Sequence, residues 1–118
     1  NRLDALVAVT LVMRAVATAG VHVASNQVIE LLAGELVSNA VKHGPAGEPV
    51  RVAVRVDGYV VRVAVTDQGG GTPQVRHPEP TAPSGRGMAL VEALSTAWGS
   101  ARQPDGGTTV WFELDTDV

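Results

Sequence analysis

The segment VRVAVRVDGYVVRVAVTD, residues 50–67, decides the fold class of this 118-residue chain. Valine alternates with Arg, Ala or Thr on both sides of Asp57-Gly58-Tyr59, and this period of two predicts a pair of β-strands. The Asp-Gly pair between them predicts a tight hairpin turn. The segment therefore predicts an antiparallel hairpin, and the other elements are placed relative to it.

Two helices are predicted before the hairpin. Residues 3–19 are apolar nearly all round and predict a buried helix that ends at Gly20, with a further protein as a potential cover. A second helix is predicted to start at Ser25 or Asn26, both good N-caps, and to end near His43, ahead of a Gly-Pro pair.

A third helix and a last strand follow the hairpin. Residues 86 to about 98 have a helical pattern, and TTVWFEL, residues 108–114, predicts a strand. Because helices and strands do not alternate strictly, we expect one α+β domain over residues 1–118. Its predicted architecture is a two-layer sandwich, with about three helices on one face of a mostly antiparallel sheet.

The composition predicts a soluble globular protein. The chain is 45% hydrophobic and 18% charged, which allows a real core. Its net charge of −3 argues against broad nucleic-acid binding. The longest uncharged N-terminal run, residues 5–13, is too short to span a membrane. The absence of cysteine fits a cytoplasmic protein and excludes thiolate metal sites.

The stretch between the hairpin and the third helix carries two glycine motifs. It begins with D-x-G-x-G at Asp67, Gly69 and Gly71, and ends with G-x-G at Gly85 and Gly87. Glycines let a backbone approach a ligand closely, and a helix N-terminus suits a phosphate. Ordinary turn glycines are the alternative for either motif alone. The chain has neither a P-loop nor a dinucleotide-binding fingerprint.

A polar stripe marks the end of the second predicted helix. Glu35, Asn39, Lys42 and His43 recur at i, i+4, i+7 and i+8, which places them on one face. An amide oxygen can ligate Mg²⁺, a carboxylate can deprotonate a hydroxyl, and a lysine can neutralise phosphate charge. A merely solvated helix face is the alternative.

In combination, these motifs resemble one ATP-binding superfamily. E-x-x-x-N on a helix, a hairpin, D-x-G-x-G, a loop, G-x-G before a helix and a final G-T-x-V are similar to gyrase, the heat-shock chaperone, histidine kinases and mismatch-repair ATPases. The resemblance covers residues 25–115 and implies the Bergerat ATP-binding fold. ELVSNAVKHG, VTDQGGGTP, GRGMALVEALSTAWG and GGTTVWFEL look most like bacterial anti-sigma-factor serine/threonine kinases of the actinobacterial type.

The resemblance implies ATP and Mg²⁺ as cofactors and a role for each matching residue. Glu35 would be the general base, Asn39 the Mg²⁺ ligand, and Lys42 and His43 the phosphate neighbours. Asp67 would accept a hydrogen bond from the adenine amine. The other implied positions are Gly69 and Gly71 beside the base, residues 72–84 as the lid, Gly85, Arg86, Gly87 and Met88 at the phosphate-side helix, and Thr108 or Thr109 near the adenine.

Glu35 is the residue that distinguishes a serine/threonine kinase from a histidine kinase within this superfamily. Histidine kinases that resemble this chain usually carry Asn there, whereas a serine hydroxyl profits from a carboxylate base. Glu35 therefore favours transfer to Ser/Thr, or to water. The partners implied are an anti-sigma-factor antagonist as phospho-acceptor, a sigma factor and a second copy of the chain. A switch module without transfer and a non-nucleotide scaffold are the alternatives.

Three weaker features complete the sequence interpretation. The histidines, His22, His43 and His77, are scattered and do not predict a zinc site. Trp98 and Trp111 lie in apolar patterns that predict core positions. The serine kinases often have a strand before the first helix, whereas this chain opens almost at the helix, so these residues do not predict that edge strand or a dimer interface on it.

Overall fold

The computed structural model describes residues 2–43, 48–68 and 86–117. Three helices and a four-stranded antiparallel sheet form an α+β sandwich, which confirms the predicted fold class. The sheet order is β1-β2-β4-β3. In chain order the elements are α1 (Arg2–Thr18), α2 (Val23–His43), β1 (Arg51–Asp57), β2 (Val60–Asp67), α3 (Arg86–Leu94), β3 (Ala97–Arg102) and β4 (Thr108–Asp115).

The core lies between the helices and one face of the sheet. The central helix α2 packs against α1, α3, β2 and β4. Alternate residues of β2 and β4 point into this core, and Phe112 is its largest fully buried side chain. The other buried apolar residues are Val12, Val16, Ile29, Leu32, Ala33, Leu36, Val37, Ala40, Val61, Val63, Val65, Met88, Val91 and Val110.

Local signals fix the first turn and the hairpin as predicted. The N–H of Gly20 bonds to the carbonyl of Ala17, and the N–H of Val21 to that of Val16, which is a Schellman ending with φ +79° at Gly20. In the hairpin, Asp57 pairs with Val60, and Gly58 has φ +60°. Only this first loop residue has positive φ, as in a type II′ turn.

The predicted start of α2 is wrong by two to three residues. The helix begins at Val23, because His22 caps it: the His22 Nδ1 accepts a hydrogen bond of 3.3 Å from the N–H of Ala24. His22 thus replaces a cap at Ser25 or Asn26. Both predicted caps lie inside the helix, where Ser25 is buried.

The third helix is shorter than predicted, because a strand follows it. Helix α3 ends at Leu94, and the segment around Trp98 forms β3. The change begins at Thr96, whose N–H donates to the carbonyl of Glu113 and whose Oγ1 accepts from the N–H of Asp115, both at 2.8 Å. Pairing with β4 therefore overrides the local helical pattern.

The prediction that Trp111 belongs to the core is wrong, while Trp98 packs against it. Trp111 lies between Val110 and Phe112, which point into the core, so its ring lies on the opposite face of β4. There the Arg62 guanidinium carbon lies 4.2 Å from the ring centroid of Trp111. The sandwich thus has one face under helices and one face that no described element covers.

Helix α1 is covered by the protein on one side. Val12 and Val16 are buried, whereas Leu6, Val7 and Leu11 are 64%, 52% and 58% exposed. No described helix combines the length and the apolar character needed to cross a membrane.

Candidate nucleotide-binding site

One part of the site lies where the end of β2 pairs with the start of β4. Asp67 and Thr108 are paired in the register of these strands. Asp67 continues the alternation of Val63 and Val65, so its side chain lies on the helix-covered face. Both residues are buried, at 9% and 5% exposure. A carboxylate and a hydroxyl therefore lie side by side in an otherwise apolar layer.

The close approach of the two strands depends on Gly107. A Cβ atom at this position would lie 2.5 Å from the carbonyl oxygen of Asp67, so no larger residue fits without a backbone shift. The preceding turn holds Gly107 in place, since its N–H donates to Asp105 Oδ1 at 3.0 Å and Gly106 has φ +94°. The turn at residues 105–108 thus positions Thr108 beside Asp67.

Thr109 takes the opposite direction. Its Oγ1 lies 2.7 Å from the Oγ1 of Thr66, on the face that no described element covers. The sequence left Thr108 and Thr109 as alternatives near the adenine. Only Thr108 shares a face with Asp67, because adjacent residues of a strand point to opposite sides.

Helix α2 brings its polar stripe to this side of the sheet. Leu36, Val37 and Ala40 are buried against the core. Glu35 and Asn39 are half-buried, and Lys42 is exposed. The predicted separation of an apolar and a polar face in this helix is confirmed for these residues.

A shallow depression lies along the N-terminal half of α2 and shares Glu35 with the polar stripe. Its volume is about 370 Å³, and its lining includes Glu35, which reaches solvent here. Sequence reasoning missed this feature, although the helical spacing of the lining residues could have shown it. They are Gln27, Glu30, Leu31, Gly34 and Glu35.

Helix α3 contributes packing as well as its N-terminus. It begins at Arg86, as the G-x-G motif predicted, and packs against α2. The Met88 side chain is buried in the core, so a contact of this residue with nucleotide would have to use its backbone. Outside the described residues lie Gly69, Gly71, the predicted lid 72–84, Gly85 and His77, together with the side chains of His43 and Arg86.

The described residues fit a magnesium ion that is held mainly by phosphate. Within residues 2–43, 48–68 and 86–117, no three His, Asp or Glu side chains form a metal cluster. Magnesium commonly keeps several waters and takes one or two protein ligands together with substrate phosphates. The half-buried amide of Asn39 would suit the role of such a ligand, whereas a dedicated protein cage is not found in this part of the chain.

Comparisons with known proteins agree with this geometry. The family model for the histidine kinase-like ATPase domain matches residues 1–114. The chain therefore belongs to the histidine kinase-like ATPase domain family. It is an ATP-binding, kinase-like domain. No curated protein sequence matches it.

Solved histidine kinases share the fold. A mycobacterial sensor histidine kinase, MprB, is 25% identical with a TM-score of 0.58, over 75% of this chain and 70% of that one. The blue-light-activated histidine kinase of Erythrobacter litoralis is 26% identical with a TM-score of 0.57, over 77% and 44% of the two chains. The histidine kinase domain of the E. coli osmosensor EnvZ, 18% identical over 79% and 66%, shows the fold alone with a TM-score of 0.52.

Proposed function

We propose that this domain is a Mg·ATP-dependent serine/threonine protein kinase of the anti-sigma-factor type. Its acceptor would be a Ser or Thr hydroxyl of a small antagonist protein, and a sigma factor would be its second partner. The observation that carries the proposal is Glu35, a carboxylate one helical turn before Asn39 that reaches solvent in the depression on α2.

The position of Glu35 suits a general base. It does not belong to the buried pair formed by Asp67 and Thr108, and no described cation forms an ion pair with it. A carboxylate that accepts a proton from a hydroxyl must be reachable by an acceptor from outside. Glu35 meets this requirement because its surroundings are open, whereas Asp67 is buried.

The proposed reaction is an in-line displacement at the γ-phosphorus of ATP. The acceptor Oγ forms a bond to this phosphorus, the bond from phosphorus to the β–γ bridging oxygen breaks, and ADP leaves. The hydroxyl proton goes to the Glu35 carboxylate. Asp67 and Thr108 hold the adenine end, and Lys42 lies beside the phosphates.

Asn39 is the described residue that would hold Mg²⁺, and the ion supplies charge neutralisation on the phosphates when it is bound. The part of Asn39 is to fix a ligand oxygen on a packed helix. Because Leu36 and Ala40 are buried on either side of it along α2, this oxygen is held by the core.

The test is phosphate transfer to a purified acceptor. The domain is incubated with γ-labelled ATP, Mg²⁺ and the small antagonist protein encoded nearest to its gene. We expect label in the antagonist as acid-stable phosphoserine or phosphothreonine. Label that appears as acid-labile phosphohistidine would contradict the proposal.

Two controls separate binding from transfer. ATP affinity is measured by calorimetric titration in the same preparation, and ATP hydrolysis is followed without acceptor. Tight ATP binding with no transfer to the antagonist would overturn the kinase assignment and favour the nucleotide-dependent switch.

A further inference from the structure

The depression on the N-terminal half of α2 has lining residues besides Glu35 that the proposed reaction does not use. Its lining residues recur at i, i+3, i+4, i+7 and i+8 from Gln27, so they form one stripe along the helix. Gly34 is in the middle of α2 and supplies the floor beside Glu35. The depression therefore extends from the proposed base toward the start of the helix, away from Asn39.

Packing does not require a glycine at position 34. A Cβ atom there would meet no atom of the described residues within 4 Å, and φ is not positive. Glycine inside a helix is less favourable than alanine by about 0.5–1 kcal/mol. By contrast, Gly107 and Gly99 have atoms within 3 Å of the same position. Neither conformation nor close packing within the described residues therefore explains Gly34, and the space above it is open.

The lining has a definite chemistry. Leu31 is 43% exposed, although it is a large hydrophobic residue. It forms the apolar wall of the depression. Glu30 and Glu35 are both acidic, and no cation is among the described residues that line the depression. The surface thus complements a segment with an apolar side chain and a basic side chain.

We propose that this depression binds the polypeptide segment that carries the acceptor hydroxyl. This inference rests on the proposed function. The acceptor Oγ must come within hydrogen-bond reach of Glu35, so the residues next to it in the acceptor must cross the surface beside Glu35. An apolar acceptor side chain lies over Gly34 against Leu31, and a basic acceptor residue lies beside Glu30.

Gly34→Leu tests the site with the antagonist protein as acceptor. The leucine fills the floor and should raise the KM for the antagonist by about tenfold or more, because one apolar contact is lost. ATP affinity should change by less than about twofold, and thermal stability should not fall, since leucine is a better helix former than glycine. Ala15→Leu, which adds bulk to an exposed position of α1, is the matched control and should leave the KM unchanged.

Two further variants keep the test decisive. Gly34→Ala adds one methyl group that meets no atom within 4 Å, so the helix is retained, and a rise of a few fold in the acceptor KM is expected. Glu30→Lys should raise the same KM, because it repels a basic acceptor residue. The product-inhibition constant of ADP, which should stay unchanged in both variants, is a second check on the nucleotide site.

The failures can be told apart. If the unmodified domain does not phosphorylate the antagonist, the proposed function is wrong, and this inference falls with it. If the unmodified domain transfers phosphate and Gly34→Leu leaves the acceptor KM unchanged, only the docking site is wrong. If Gly34→Leu lowered ATP affinity and raised the acceptor KM in parallel, the docking site would also be overturned, since the residue would then act through the nucleotide.

Discussion

The two faces of the sheet use neighbouring residues for different purposes. On the helix-covered face, Asp67 and Thr108 are buried side by side. One residue earlier in β2 and one later in β4, Thr66 and Thr109 bond to each other on the open face. The comparison teaches that polar residues next to each other in sequence belong to separate layers, of which only one lies on the face that α2 covers.

The open face has its own polar cluster, whose side chains are not fully buried. Arg62 lies over the Trp111 ring and forms a salt bridge of 3.4 Å with Glu113. All three side chains are only half-buried. Ion pairs of this kind contribute roughly 0–1 kcal/mol, so the cluster acts mainly as packing on the sheet. Substitutions on this face should change stability and leave nucleotide affinity unaffected.

The largest expected effect concerns Glu35→Ala on the helix-covered side. Transfer to the antagonist should fall by about 10²–10⁴-fold, while ATP affinity is nearly retained, because a general base acts in the transfer step. Asn39→Ala should instead lower affinity for Mg·ATP more than for free ATP. Transfer rate and Mg·ATP affinity are measured for both proteins. Full transfer by Glu35→Ala would show that the mechanism is wrong.

The next effect is the loss of nucleotide affinity in Asp67→Asn. A charge-assisted hydrogen bond contributes about 1.5–3 kcal/mol, which corresponds to roughly 10–150-fold in affinity. The fold should stay intact, as circular dichroism would show. Thr66→Val on the open face is the control. Equal ATP affinities for Asp67→Asn and the unmodified domain in a calorimetric titration would remove Asp67 from the adenine site.

The effects expected from substitutions at two glycines are of intermediate size. In Gly107→Ala the new methyl group meets the backbone of Asp67, so we expect a loss of about 1–3 kcal/mol in unfolding free energy together with weaker ATP binding. In Gly99→Ala the new Cβ lies 2.8 Å from the Trp111 ring, which is a side chain and can move. That loss should be about 1 kcal/mol or less, without effect on ATP.

Urea denaturation and ATP titration of both glycine variants check this pair. Replacing Trp111 by valine in the Gly99→Ala background should recover part of the lost stability. If Gly99→Ala weakens ATP binding as much as Gly107→Ala, the two faces are not independent.

The smallest effect separates the two threonines. Thr108→Val should weaken ATP binding by about 2–12-fold, the equivalent of one neutral hydrogen bond at 0.5–1.5 kcal/mol. Thr109→Val removes the hydroxyl that meets Thr66 and should lower only the stability. Isothermal titration of both variants under one condition measures the difference. A larger effect on ATP from Thr109→Val would assign the adenine contact to the other face.

Signals within a few residues of each other predicted much of the molecule. The alternation of residues 50–67, the helical patterns on either side and Gly20 gave the fold class and most elements. They failed where a distant strand intervened. The segment up to Trp98 has a helical pattern where the structure has β3, because pairing with β4 decides the conformation of this segment.

The sequence by itself determined which residues share an element and a face. It placed Glu35 and Asn39 on one side of a helix and Asp67 at the end of a strand, since these follow from periods of 3.6 and 2. The tertiary structure decided what neighbours each face has. Strand register put Thr108 beside Asp67 and Trp111 on the open face, because pairing between residues more than 40 positions apart is a property of the packed sheet and of no local pattern.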